Sequence, residues 1–357
     1  MQSRFGVSEC AKVLPYVPGE QPQDKTYIKL NTNESPYPPS PKAIAAVTEQ
    51  QIRDLRLYSD PESKILREAI AQACGVGIGQ VVVGNGSDEV LACLFRAFCG
   101  AERPLFFPDV TYGFYKVLAD LFRIPYRQIA VKDDFGIDVK DYAGCKGTVV
   151  LANPNAQTGR GLALSDIEAL VAQDRDRIVI VDEAYVDFGG QSALPLVAKY
   201  DNLVVVRTFS KSRSLAGARV GFCIAQPLVA ADVMAIKDSI NPYNINRLSM
   251  LAAAASIADT DYFEQTRNAV ICTREQTAQA LLALGFDVIP SQANFLLVRP
   301  PRITAKAFYL ALKDRGVLVR YFSDPRIADR VRVSIGSEQE MQVFLNQTKA
   351  LLEEEGQ

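Results

Sequence analysis

Short apolar runs rich in Val and Ile recur along much of the chain, separated by stretches in which apolar residues return at helical spacing. The runs predict strands at 81–83, 105–107, 148–152, 178–181, 203–206 and 219–224. Between them the period predicts helices at 41–54, 62–73, 87–98 and 112–122. Ser40 followed by Pro41 reads as a capping hydroxyl before a first-turn Pro, and Gly75 as the stop of the second helix. Ser165 with Glu168 predicts a capping box opening a further helix. Strands buried on both faces read as continuous apolar runs, so the pattern predicts an α/β layer with a mostly parallel sheet between helices. Residues 1–40 are Pro-rich and loop-like, and 227–284 are mainly helical, with one long stretch at 266–284. After Gly285 the order changes to strand 294–298, helix 305–315, strands 317–320 and 331–335, and helix 338–354, a smaller α+β layer.

Composition narrows the chemistry. The 357 residues are enough for roughly two domains. A net charge of −2 argues against a basic nucleic-acid face, and no apolar run approaches a membrane span. The N-terminus lacks the apolar core of a signal peptide, and the seven Cys contain no CxxC pair. Those at 10, 74, 93, 99, 145, 223 and 272 read as buried free thiols of a reducing, cytoplasmic compartment. The chain has no His. That removes Ser-His-Asp and Cys-His catalysis and His-ligated metals, so no metal site is expected and proton transfer falls to Lys, Asp, Glu, Tyr or Cys.

In open parallel sheets ligands bind beyond the carboxyl ends of the strands, which directs attention to the residues following each run. In VVVGNGSDE two glycines precede Ser87 and Asp88 at a helix start, where free N–H groups suit a phosphate. A dinucleotide fingerprint would need Gly at position 89, where Glu89 stands, and a plain strand–turn–helix also fits. Asp182 ends an apolar run, placed either to cap a turn or to meet a cationic ring nitrogen, with Tyr185 three residues on. Lys211, beside Ser210, follows the next run and is either a surface Lys or a Schiff-base amine, and Arg219 is a second cation at the same mouth. Tyr112 either stacks on an aromatic ligand or pairs with Tyr115 on a helix face. Arg332 in a late strand fits an internal salt bridge or a substrate carboxylate. Taken in order, a phosphate cradle, a stacking Tyr, a carboxylate, a phenol, a Lys and an Arg meet the needs of pyridoxal 5'-phosphate, which also works without His.

On these residues the chain resembles the fold-type I aminotransferases, and within them the histidinol-phosphate aminotransferase family. LPYVPGE is similar to its PYxPG, KLNTNESPYPPSP to LNxNENPxGPSP, LYSDPES to RYPDPEG, GNGSDE to GxGSDE and PDVTYGFYKV to PTYxMY. VDEAY, TFSKSRSLAGARVG, SQANFLLVR and RVRVSIG follow the family pattern closely. The resemblance implies a segment 1–40 joining the small domain, a cofactor-binding domain 41–250, connecting helices 251–284 and a small domain 285–357. It implies that Lys211 holds the cofactor and moves the proton at the substrate α-carbon. Asp182 would pair with the ring nitrogen, Tyr185 with the phenolic oxygen, and Tyr112 with the ring face. Ser87, Asp88, Ser210 and Arg219 would hold the phosphate. Tyr58 would reach across a homodimer into the partner's site, and Arg332, Tyr16, Asn33 and Arg320 would lie around the substrate.

The expected reaction is L-histidinol phosphate plus 2-oxoglutarate giving imidazole-acetol phosphate plus L-glutamate. Aromatic amino-acid transamination and threonine-phosphate decarboxylation are alternatives on the same fold, and a catalytically silent binding module is one from a different class. Two departures stand out. NPNNPTG reads NPNAQTG at 153–159, so Ala156 replaces an Asn that bonds the phenolic oxygen, with Asn155 as its expected substitute. RYP becomes LYS, leaving Leu57 before Tyr58.

Overall fold

The computed structural model describes residue 5 and residues 13–354; Cys10 lies outside them. In chain order the strands are β1 (Ile28–Lys29), β2 (Val81–Gly84), β3 (Leu105–Pro108), β4 (Tyr126–Ile129), β5 (Thr148–Ala152), β6 (Val179–Asp182), β7 (Leu203–Thr208), β8 (Gly221–Ile224), β9 (Asp287–Val288), β10 (Phe295–Arg299), β11 (Val317–Leu318), β12 (Arg320–Tyr321) and β13 (Val331–Ser334). The helices are α1 (Pro41–Ala45), α2 (Glu49–Arg53), α3 (Lys64–Cys74), α4 (Ser87–Phe98), α5 (Phe114–Phe122), α6 (Leu164–Ala172), α7 (Pro227–Ile240), α8 (Arg247–Ile257), α9 (Thr260–Ala283), α10 (Ala305–Asp314) and α11 (Glu338–Glu354).

The predicted apolar runs form one sheet in the order β2-β8-β7-β6-β5-β3-β4, with β4, a polar edge strand that the pattern does not predict, as its last member. β8 is antiparallel to both its neighbours, and the other pairs are parallel. Two reversals cancel, so β2 runs the same way as β7, and the carboxyl ends of β2, β3, β5, β6 and β7 share one edge. Alternate residues serve opposite cores. Val150, Ile180 and Val204 pack in one cluster, and Val149, Val179, Leu203 and Val205 in the other. Each such side chain contributes about 1.5–3 kcal/mol by burial, which is why these strands lack polar alternation. A second, antiparallel sheet has the order β12-β13-β10-β9. β1 pairs in parallel with β11, tying the chain before α1 to the C-terminal layer.

Several predicted elements differ in detail. The helix expected at 41–54 is interrupted, because Thr48 accepts from the Gln51 amide and starts α2 afresh. α3 begins at Lys64 rather than Glu62, since the Asp60 carboxylate accepts from the Glu62 and Lys64 amides and Ser63 is left-handed. The Ser165–Glu168 capping box does not form: Gln191 Oε1 accepts from the Leu164 amide, and Glu168 binds Lys199 and the Tyr200 hydroxyl. The strand expected at 317–320 splits at Val319, its halves pairing with β1 and β13. The strand expected from Arg219 starts at Gly221, with Arg219 left-handed at φ 54°. The helical stretch 227–284 is three helices, α7, α8 and α9. Cys93, Cys145 and Cys223 are buried, whereas Cys272 on α9 is exposed, contrary to the buried-thiol expectation. Among the described residues no helix is long and apolar enough to cross a membrane.

Candidate active site

The shared edge of the large sheet opens into a cleft lined by residues at and after its strand ends, among them Asp182, Tyr185, Ser210 and Lys211. Ser87, Asp88, Tyr112 and Arg219 line the same cleft, together with Thr208, Ala152, Ala156 and Ala184.

The mouth is built on the N-terminus of α4. Its first-turn N–H groups have no acceptor within the helix, which makes a ready anion cradle. Two glycines allow close approach. A Cβ on Gly86, where φ is +84°, would lie 2.5 Å from Arg219 Nη2, and one on Gly221 would lie 2.2 Å from the Ser87 nitrogen. Arg219 Nη2 donates to Asp88 Oδ2 at 2.9 Å, and Asp88 Oδ1 accepts from the Tyr112 hydroxyl at 2.9 Å. Burial, and then Asp88 itself, push the Tyr112 hydroxyl well above its ordinary range, so it stays a donor. The Thr208 hydroxyl donates to Ser210 Oγ at 3.0 Å, and both residues line this cleft.

Asp182 forms the floor. It is the last residue of β6 and 4% exposed. Its oxygens accept from the Tyr115 hydroxyl at 2.8 Å and from the Ala184 amide at 3.1 Å. Both donors are neutral. Desolvation raises its pKa to about 6, the two hydrogen bonds oppose the rise, and Asp88 and Glu183 add to it. A buried carboxylate that, among the described residues, is held by neutral donors suits a cationic group arriving in the cleft.

Lys211 Nζ donates to the Thr32 carbonyl at 3.2 Å and lies 5.7 Å from the Tyr185 ring centroid. The Tyr185 hydroxyl accepts from Asn33 Nδ2 at 3.0 Å, and its ring meets Phe295 edge-on. Asn33 is buried and left-handed at φ 55°. Ser334 Oγ accepts from its amide and donates to its Oδ1, and Asn294 Nδ2 donates to its carbonyl. The segment before α1 is thereby pinned to β13 and to the loop before β10, and it carries both Thr32 and Asn33 to the cleft.

The remaining candidates fall in three places. Arg332 stands at the cleft's edge, its Nη1 donating to the Ala156 carbonyl at 2.9 Å and to Gln157 Oε1 at 3.2 Å. Tyr16 packs edge-on against Tyr112 at 5.9 Å, and Arg320 donates to the Val17 and Pro18 carbonyls, so residues 16–18 cover this side. Asn155 lies beside the cleft with its amide committed. Nδ2 donates to the Val110 carbonyl, and Oδ1 accepts from the Gln157 and Thr158 amides. The side chain facing the cleft at that turn is Ala156. Tyr58 is not brought to the cleft of its own chain; it is 79% exposed and stacked on Tyr243 at 4.5 Å. Tyr115, Thr208, Ala184 and Gln157 were not singled out from the sequence as site residues. Tyr115 had the outward signal of a packing residue, and only a partner for its buried hydroxyl distinguishes it.

A family model for aminotransferases of class I and II matches residues 25–347. The chain belongs to that family. Among curated relatives, the histidinol-phosphate aminotransferase of Clostridium acetobutylicum is 45% identical, over 97% of this chain and 99% of that protein. Histidinol-phosphate aminotransferase 1 of Methylococcus capsulatus is 48% identical, over 95% of each. The solved histidinol-phosphate aminotransferase of Sinorhizobium meliloti, a complex with pyridoxal-5'-phosphate, shares the aminotransferase fold with a TM-score of 0.82. It is 24% identical, and 92% of each chain is covered.

Proposed function

We propose that this aminotransferase uses pyridoxal 5'-phosphate to transfer the amino group of L-histidinol phosphate to 2-oxoglutarate, giving imidazole-acetol phosphate and L-glutamate. The observation that carries the reading is that Lys211 and Asp182, a buried carboxylate with no ion pair among the described residues, line one cleft whose mouth is an N-terminal helix cradle. The residues present fit the cofactor: Ser87, Asp88, Ser210 and Arg219 at the phosphate, Asp182 at the ring nitrogen, Tyr185 at the phenolic oxygen, Tyr112 against the ring and Lys211 at the aldehyde. With Asn155 engaged elsewhere, the Tyr185 hydroxyl, oriented by Asn33, carries the phenolic-oxygen contact.

Bound there, the cofactor supplies a sink for electrons released at the substrate α-carbon. Asp182 would keep the ring nitrogen protonated, because a cation beside it offsets the desolvation penalty that burial imposes on the carboxylate. Lys211 Nζ would carry the proton at the substrate α-carbon, a duty no His can perform in this chain. Arg332 binds the substrate anion, and Tyr16, Asn33 and Arg320 enclose the distal end.

We further read the enzyme as a cytosolic homodimer in which Tyr58 enters the partner's site. Its domains run 41–250 and 285–357, with 251–284 connecting them and 1–40 joining the smaller one. Support for the dimer comes from the half-exposed Ile52, Leu55 and Leu57 beside Tyr58.

Purified protein is expected to absorb at about 330–430 nm with the cofactor bound, and to convert L-histidinol phosphate faster than phenylalanine, without releasing CO₂ from threonine phosphate. Absence of the band with added cofactor refutes the class, and a preference for either other substrate refutes the substrate. Lys211→Ala should bind cofactor without turning over.

A further inference from the structure

Gln157 stands where the family pattern NPNNPTG has its second Pro. A Pro side chain offers no polar group, whereas this Gln reaches the guanidinium of Arg332 with its Oε1 at 3.2 Å. The other acceptors of that guanidinium are the carbonyls of Ala156 at 2.9 Å and Asn31 at 3.5 Å. Arg332 Nε is buried and has no partner among the described residues. The guanidinium thus sits against neutral acceptors, two of them backbone and one a side chain. The Gln157 backbone is held by its amide, which donates to Asn155 Oδ1 at 2.9 Å. The side-chain contact is the one that rotation of Gln157 alone releases when an anion arrives.

We propose that Gln157 is a specificity-determining residue that favours phosphate-bearing over carboxylate-bearing substrates at Arg332. This rests on the reading above that Arg332 anchors the substrate anion. An incoming anion displaces Oε1, and the freed amide turns over to present Nε2 as a donor. A guanidinium fork occupies two anion oxygens. The lone pairs left on a carboxylate lie in the plane of the fork, whereas a tetrahedral phosphate monoester also carries a third terminal oxygen out of that plane, which adds an acceptor for Nε2. A hydrogen bond to a charged group is worth more than one between neutral groups, so the gain falls on the phosphate ligand. Both kinds of anion pass through one site in the proposed reaction, and Gln157 gives that site a means of ranking them.

The test is titration calorimetry of the holoenzyme with phenyl phosphate and with benzoate, for the wild type, Gln157→Ala and Gln157→Leu, which keep the amide that donates to Asn155. Both variants are expected to lose roughly tenfold in affinity for phenyl phosphate and less than about twofold for benzoate. Gln157→Glu, which sets a carboxylate on Arg332, should weaken both ligands by roughly tenfold or more. Equal losses for the two ligands in Gln157→Ala, no loss for either, or no binding of phenyl phosphate to the wild type each overturn the proposal. Failure of the underlying substrate reading shows separately, as a wild-type enzyme that does not convert L-histidinol phosphate while its phenyl phosphate affinity still depends on Gln157.

Discussion

The Asp182 carboxyl has its pKa raised from 3.8 to about 6 by burial at the end of β6, with a Tyr hydroxyl and a backbone amide as its hydrogen-bond donors. The folded chain therefore holds this proton more tightly than the unfolded one. The resulting contribution favours the cofactor-free fold below about pH 4 and is lost as pH rises through about 6, a change of about 3 kcal/mol. Urea unfolding of cofactor-free protein at pH 5 and pH 7.5 should show this slope in the wild type and lose it in Asp182→Asn. Tyr115→Phe removes the donor at 2.8 Å that lowers the pKa. It should therefore destabilise the cofactor-free protein more at pH 7.5 than at pH 5; equal losses at both pH values would mean that the hydroxyl serves packing alone. Asp182 was legible in the sequence because a charge ending an apolar strand has few reasons to be there. Tyr115 was not, because a Tyr three residues from another looks like a helix-face pair. In the structure α5 begins only at Phe114, leaving Tyr112 in the preceding loop, free to face the cleft while Tyr115 points to Asp182.

Helix α4 is the element whose placement decides the mouth of the site, and its bounds matched the pattern because Gly, Ser and Asp precede a clear apolar period. What holds its N-terminus against β8 is the absence of a side chain at Gly221, where a Cβ would lie 2.2 Å from the Ser87 nitrogen and 2.6 Å from the Gly86 carbonyl carbon. Backbone atoms of a packed helix cannot retreat cheaply. Gly221→Ala is expected to lower stability by roughly 1–3 kcal/mol and turnover by on the order of 100-fold through displacement of the cradle. Thermal melting alongside cofactor titration checks both; an unchanged cofactor affinity would show that the cradle does not depend on this contact. The helix starts misread from sequence share one cause, side-chain capping of backbone amides. Thr48 and Asp60 restart helices where the apolar period runs on, and Gln191, distant in sequence, takes the amide that Ser165 was expected to cap.

At the scale of the whole molecule, the described chain leaves Tyr58 exposed beside Ile52, Leu55 and Leu57 instead of in its own cleft. If the proposed dimer shares its sites, Tyr58→Ala and Lys211→Ala subunits are each impaired alone. Mixed after unfolding and refolding together, they should regain about a quarter of wild-type activity, since half the dimers then carry one intact site. No recovery would place Tyr58 outside the partner's site. The sequence by itself determined the α/β class, six of the seven strands of the large sheet and the strand-end positions of Asp182, Ser210 and Lys211, because burial on both faces of a parallel sheet leaves a dense apolar signal and its interruptions are conspicuous; the edge strand β4, half-exposed and polar, left no such signal. Tertiary structure alone decided which distant groups complete those residues. Thr32 and Asn33 reach Lys211 and Tyr185 because β1 pairs with β11 and Ser334 holds Asn33. Asn155 was withdrawn into its own turn, and Gln157 was set on Arg332. These contacts join residues far apart in the chain through single hydrogen bonds, and a single polar side chain has no periodicity from which its partner can be read.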